Sequence, residues 1–92
     1  MDIRTLCLGI VALLKEVGET NWSVAFESFI ADLNAYNQRH VYKKMFAIYG
    51  GAGSFNDLVL HTNGTACLDE NNKLDVLRKQ LYEALVLHLY IS

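Results

Sequence analysis

Ile48-Tyr-Gly-Gly-Ala-Gly-Ser-Phe-Asn-Asp-Leu-Val-Leu60 decides how this chain folds, because Gly50, Gly51 and Gly53 fall inside it. Before the stretch, apolar residues recur at helical spacing. After it come a short apolar run, an Asn-Gly turn and one long amphipathic segment. Its glycines either permit positive φ in a tight turn or let backbone come close to another group, and its place between helices and hairpin favours the turn. Ser54-Phe55-Asn56-Asp57 fits the Ser-x-x-acid capping pattern that starts a helical turn, while Leu58-Val59-Leu60 reads as a strand. A two-residue Asn63-Gly64 turn then puts Thr62 opposite Thr65, Leu60 opposite Cys67 and Val59 opposite Leu68. Such a small hairpin needs the helices behind it to persist.

Upstream, Ile3, Leu6, Cys7, Ile10, Leu13, Leu14 and Val17 share one helical face. Leu8 and Val11 widen that stripe, Gly9 is expected to let a neighbouring helix approach, and Gly18 ends the helix. Thr20 or Asn21 is placed to cap a second helix beginning at Trp22. Its stripe of Ala25, Phe26, Phe29, Ile30, Leu33 and Tyr36 is rich in aromatics. Those rings read as core, with Trp22 at the helix start as the best alternative anchor for a partner. Asn37, Gln38 and Arg39 interrupt the pattern before Val41, Tyr42, Met45, Phe46, Ile48 and Tyr49 resume it, either as a third helix or as the far side of a kink. Gly50-Gly51 stops it.

Downstream, Asp69-Glu70-Asn71-Asn72 supplies capping oxygens and negative charge for a helix start. Leu74, Leu77, Leu81, Leu85 and Leu89 form the seam of the final helix, with Lys73, Asp75, Arg78, Lys79 and Glu83 assigned to its wet side. Residues 84–91 are apolar almost all round, so this end is expected to be clasped by the other helices or covered by a second copy. The whole reads as mainly α: one domain spanning residues 1–92, a compact bundle of three to four helices with a small β-hairpin inserted before the C-terminal helix.

Composition narrows the function. Ninety-two residues with 52% apolar content and no proline suit one small packed domain. A net charge of −2 and a pI near 5.8 leave no basic field for nucleic acid. No run approaches the ~20 apolar residues of a membrane span, and Lys15-Glu16 stand where a signal peptide would need small residues. Cys7 and Cys67 read as buried free thiols, which points to a reducing, cytoplasmic compartment. The chemistry of an enzyme has little material. His40, His61 and His88 show no metal-ligand spacing, so neither a metal nor a cofactor is expected. Gly-Gly-Ala-Gly-Ser lacks the Gly-Lys-Ser/Thr end of a phosphate loop, and Ser54 lacks the Gly-x-Ser-x-Gly setting of a nucleophile. Asp57 as a general base is weaker than Asp57 as a turn-stabilising acid. No catalytic residue is assigned.

Tyr49 to Leu60, with Glu-Asn-Asn-Lys-Leu-Asp-Val-Leu-Arg-Lys-Gln-Leu-Tyr at residues 70–82, resembles a family of small bacterial proteins of uncharacterised activity. Its pattern is Gly-Gly-(Met or Ala)-Gly-Ser-(Phe or Leu)-Asn-Asp followed by Asn-x-x-Leu-x-x-Leu-Arg-x-x-Leu-Tyr. The resemblance covers about the last half of the chain, and Ala52 stands where methionine is commoner. Small bacterial proteins of this type often act as immunity proteins, so the resemblance implies a non-enzymatic module that blocks a toxin by direct binding. Trp22, Tyr49, Ser54, Asn56 and Asp57 are the residues expected to meet that partner. Two alternatives stay open: a structural or regulatory subunit that dimerises through its last helix, and a phage or host-defence inhibitor.

Overall fold

The computed structural model describes residues 2–35, 37–50 and 53–91. The expectations resting on Tyr36, Gly51 and Ala52 lie outside them. Four α-helices, α1 (Ile3–Glu16), α2 (Thr20–Ala35), α3 (Gln38–Ala47) and α4 (Leu68–Val86), form the bundle. A two-stranded antiparallel hairpin, β1 (His61–Thr62) and β2 (Thr65–Ala66), precedes α4. A 3-10 turn at Phe55–Asp57 leads into the hairpin, and one π-helical stretch, Leu87–Ile91, continues α4.

Helix α1 starts where the Asp2 carboxylate accepts from the Thr5 N–H at 2.7 Å. That bond holds the Asp2 carboxyl below its ordinary range. It ends at Gly18, whose φ of 76° suits a residue without Cβ. Ile3, Leu6, Cys7, Ile10, Leu13 and Leu14 are buried as the spacing predicts, with Val11 beside them; Leu8 is half exposed. Gly9 differs from expectation. A Cβ there would meet the Leu77 methyls at 3.7 and 3.8 Å, ordinary contact, so the approach of α4 does not require a glycine.

Helix α2 begins two residues earlier than its apolar stripe suggests, because the cap is Glu19 and not Thr20 or Asn21. The Glu19 carboxylate accepts from the Trp22 N–H at 2.8 Å. Helix α3 is separate from α2, and Asn37 makes the break. It sits outside helical geometry while its side chain accepts from the Arg39 and His40 N–H groups, so Gln38 and Arg39 belong to the first turn. Phe26, Leu33, Val41 and Met45 carry these two helices into the core that α1 and α4 complete.

The hairpin is shorter than the sequence suggests. Thr62 pairs with Thr65 as expected, over an Asn63-Gly64 turn in which both residues have positive φ. Leu60 also meets Cys67, whose N–H donates to the Leu60 carbonyl at 3.0 Å. Leu58, Val59 and Leu60, however, join no ladder, and Leu68 opens α4 instead of facing Val59. The reason is Asn71. Its amide accepts from the Leu60 N–H at 2.7 Å and donates to the Leu60 carbonyl at 3.0 Å, taking the place of a strand partner. Asn71 is therefore not the helix cap its position suggests; it lies inside α4.

Cys7 is buried with its Sγ 4.0 Å from the Met45 sulfur, and burial pushes its thiol up to about 12. Cys67 is only half-buried, against the expectation, and lies 3.0 Å from the Thr62 hydroxyl. At the far end, the Arg39 guanidinium donates to the His88 and Leu89 carbonyls at 3.4 and 3.1 Å, satisfying acceptors left at the last turn. Among the described residues no helix is long and apolar enough to cross a membrane.

Candidate functional site

The glycine-bearing corner is held by Phe55 and Arg78. Phe55 is fully buried and meets Trp22 at 5.2 Å, Phe26 at 4.8 Å and Tyr49 at 5.9 Å between ring centroids. It is the plug by which an otherwise polar loop enters the core. The loop closes behind it: the Phe55 N–H donates to the Ile48 carbonyl at 3.0 Å, across the glycines. Gly53 has a φ of 74°, and its N–H donates to the Asp57 carboxylate at 3.1 Å.

Arg78 overturns its assignment to the wet side of α4. It is 9% exposed. One guanidinium nitrogen donates to the carbonyls of Phe55 at 2.9 Å and Leu58 at 2.8 Å, with a longer approach to Asn56 at 3.4 Å. The other donates to Asp75, one turn earlier on the same helix. The guanidinium also sits 5.8 Å from the Phe55 ring centre. Carbonyls of a 3-10 turn have no ladder to join, and here one guanidinium nitrogen, with its two N–H donors, serves the turn while the other holds Asp75. Tyr49 completes the tie by donating its hydroxyl to the backbone carbonyl of Arg78 at 2.8 Å. Burial pushes the Tyr49 phenol well above its ordinary value.

Beside this frame opens a pocket of about 440 Å³ lined by Tyr49, Asn56, Asp75, Arg78, Lys79 and Tyr82. Two aromatic rings, Tyr49 and Tyr82, meet at 5.3 Å, and Phe46 stacks on Tyr82 at 5.3 Å. Asp75 is already committed to Arg78, which leaves Lys79, among the described residues, as the uncompensated charge of the pocket. Asn56 and Lys79 are exposed at its rim. The arrangement offers flat apolar faces with a cation and an amide at the edge, on a backbone that cannot move without breaking the Arg78 bonds. That is the make-up of a recognition surface.

The five residues expected to meet a partner divide accordingly. Tyr49 and Asn56 share the pocket. Trp22 is half-buried against Phe55, on the core side of the corner. Asp57 is exposed but spends its carboxylate on the Gly53 N–H. Ser54 precedes the 3-10 turn, its hydroxyl buried with no hydrogen-bond partner among the described residues. Sequence reasoning missed Arg78, Lys79 and Tyr82 as parts of the site. A signal existed for Arg78: Leu74, Arg78, Leu81 and Leu85 follow the i, i+4, i+7, i+11 spacing of one face, and a charge on a leucine seam calls for an internal partner. Among the described residues, no group of three His, Cys, Asp or Glu side chains gathers to hold a metal ion.

A family described as a domain of unknown function (DUF6966) matches residues 15–68. The match takes in α2, α3, the glycine-bearing stretch and the hairpin, and stops at the first residue of α4. It thus lies nearer the N-terminus than residues 49–82, where the resemblance was drawn. No curated protein and no solved structure matches the chain.

Proposed function

The chain belongs to the DUF6966 family, and on that premise we propose that it is a non-enzymatic protein-binding module, an immunity protein that works in the cytoplasm by covering the active surface of a toxin. The observation that carries this reading is the pocket between Tyr49, Tyr82, Asn56 and Lys79, built on a corner that Arg78 immobilises. A rigid aromatic surface loses little conformational entropy when a partner lands on it, which is how a small interface reaches useful affinity. Lys79 favours a partner that presents a carboxylate beside an apolar side chain.

The test is Tyr82→Ala and Lys79→Ala in the native host. Lys79 is exposed, so its loss should change stability by only about 0.5 kcal/mol, and Tyr82→Ala, which gives up ring contacts with Tyr49 and Phe46, by about 2 kcal/mol, whereas protection against a toxin encoded beside the gene should fall sharply and co-purification of that toxin be lost in the still-folded variants. Retained protection in both variants sinks the proposal. A second reading, a subunit that self-associates, draws on Leu87 and Ile91, which are 51% and 70% exposed at the end of α4. A phage-encoded or host-defence inhibitor would use the same pocket and is separated from the immunity reading by which partner co-purifies.

A further inference from the structure

The hairpin has one edge that the fold leaves open. In an antiparallel pair, residues that turn their N–H and C=O toward the other strand alternate with residues that turn them away. Cys67 donates to the Leu60 carbonyl, and Thr62 faces Thr65 across the turn, so Leu60 and Thr62 point toward β2 and His61 between them points outward. Beyond the ladder, Asn71 stands in for a strand at Leu60 and Arg78 takes the Leu58 carbonyl. Val59, between those two, also points outward; its N–H meets no acceptor among the described residues, and the residue is half exposed. Partners borrowed from α4 thus lengthen a two-residue strand into an extended run whose free edge is carried by Val59 and His61. That edge borders a slot of about 220 Å³ lined by residues 17–19, the turn between α1 and α2, and by residues 58–61. The face of a strand shows alternate residues, whereas its edge shows consecutive ones. Four in a row, with no residue of α4 in the lining, mark this wall as the outward edge. Sheets commonly guard such an edge with proline or lysine, and Leu58-Val-Leu-His-Thr62 contains neither. The guard here is the His61 ring, whose Nδ1 lies 3.1 Å from the Val59 carbonyl oxygen.

We propose that this edge takes an extended segment of a protein partner as an added strand, main chain to main chain. The proposal rests on the protein-binding reading and adds to it a second place and mode of contact. What the edge offers fixes the occupant. Its backbone donors and acceptors repeat every second residue, roughly 7 Å apart, a spacing that an extended peptide matches and that a helix, with its backbone groups bonded internally, does not. A second copy fits less well, because residues 17–19 wall the slot on its other side and leave room for a lone chain, not for a hairpin with a bundle behind it.

The test is an NMR titration of the full chain with the peptide acetyl-Thr-Val-Thr-Val-Thr amide to about 10 mM, the range in which a short segment held by main-chain bonds alone binds. The Val59 and His61 amide protons should move downfield together, as protons entering hydrogen bonds do, while the Leu60 amide, already bonded to Asn71, moves little. Three variants separate backbone from side chain. Val59→Pro removes one edge donor, at a site where Leu58 already has the extended backbone that a following proline needs. It should weaken binding at least about fivefold, judged at His61. Val59→Thr keeps the donor and changes the exposed side chain, so binding should stay within about twofold. His61→Ala uncovers the Val59 carbonyl and should strengthen binding about threefold. Circular dichroism checks that each variant keeps its helices, and if Val59→Pro does not fold, the other two decide. Still amides at Val59 and His61, a loss in Val59→Thr as large as in Val59→Pro, or weaker binding in His61→Ala overturns the proposal. So do shifts at these amides that grow with protein concentration before peptide is added, which would mean that a second copy covers the edge. Each of those outcomes leaves the immunity reading standing, since the pocket variants test it separately.

Discussion

Arg78 acts through the shape of its side chain as much as through its charge. Its ion pair with Asp75 contributes little by itself, since Asp75 is largely exposed. What matters is the number of carbonyls reached from one buried position: Phe55 and Leu58 directly, with Asn56 at longer range. A lysine ammonium has no second nitrogen to hold Asp75 while the first serves the turn, and no planar group to lie along the Phe55 ring. Arg78→Lys should therefore lower stability by about 1 kcal/mol, and Arg78→Met by about 2 kcal/mol, because the Leu58 carbonyl loses its donor and the Phe55 carbonyl keeps only the Leu58 N–H at 3.3 Å. Urea denaturation checks both, and a midpoint unchanged in Arg78→Lys would show the fork to be unnecessary. Phe55 is the companion case. Its position in a glycine- and polar-rich stretch hides its weight, although it is the one large apolar side chain between Tyr49 and Leu58 that the turn can drive into the core.

Among the elements, α1 offers the clearest separation of local from tertiary causes. Gly9 lies mid-helix, where glycine costs roughly 1 kcal/mol against alanine, and the added methyl would meet Leu77 at ordinary distance. Gly9→Ala should raise stability by about that amount, measured as a shift in the thermal midpoint. A loss would mean that α4 must approach closer than it does. The helices themselves were legible because their stripes are long and their stops local: Gly18 after α1, Asn37 before α3, and Asn63-Gly64 between the strands. Misread boundaries came from side chains acting at a distance or out of type. Glu19 caps α2 although serine, threonine and asparagine are the usual caps, and Asn71 bonds across eleven residues to Leu60. Leu58-Val59-Leu60 has the composition of a strand, but composition does not say which partner will take its backbone groups. The candidate site was half legible. Tyr49 and Asn56 stand in the stretch that attracts notice, while Lys79 and Tyr82 come from another element and joined it only through tertiary packing.

At the scale of the molecule, the pocket on α4 is framed by the corner that Arg78 and Phe55 hold. That pocket depends on the corner staying docked, and the structure places a reporter of docking at Leu60. Its N–H belongs to no helix or ladder, yet it is buried and held by the Asn71 side chain from within α4. In hydrogen–deuterium exchange, an amide in a loop is ordinarily among the first to be lost. Leu60 should instead exchange on the timescale of the α4 core amides, because it opens only when the hairpin leaves that helix. In Asn71→Ala it should exchange much faster while the middle of α4 stays protected. If the wild-type Leu60 amide exchanges as quickly as the turn at Asn63-Gly64, hairpin and bundle open independently, and the chain has two cooperative units where its contacts imply one.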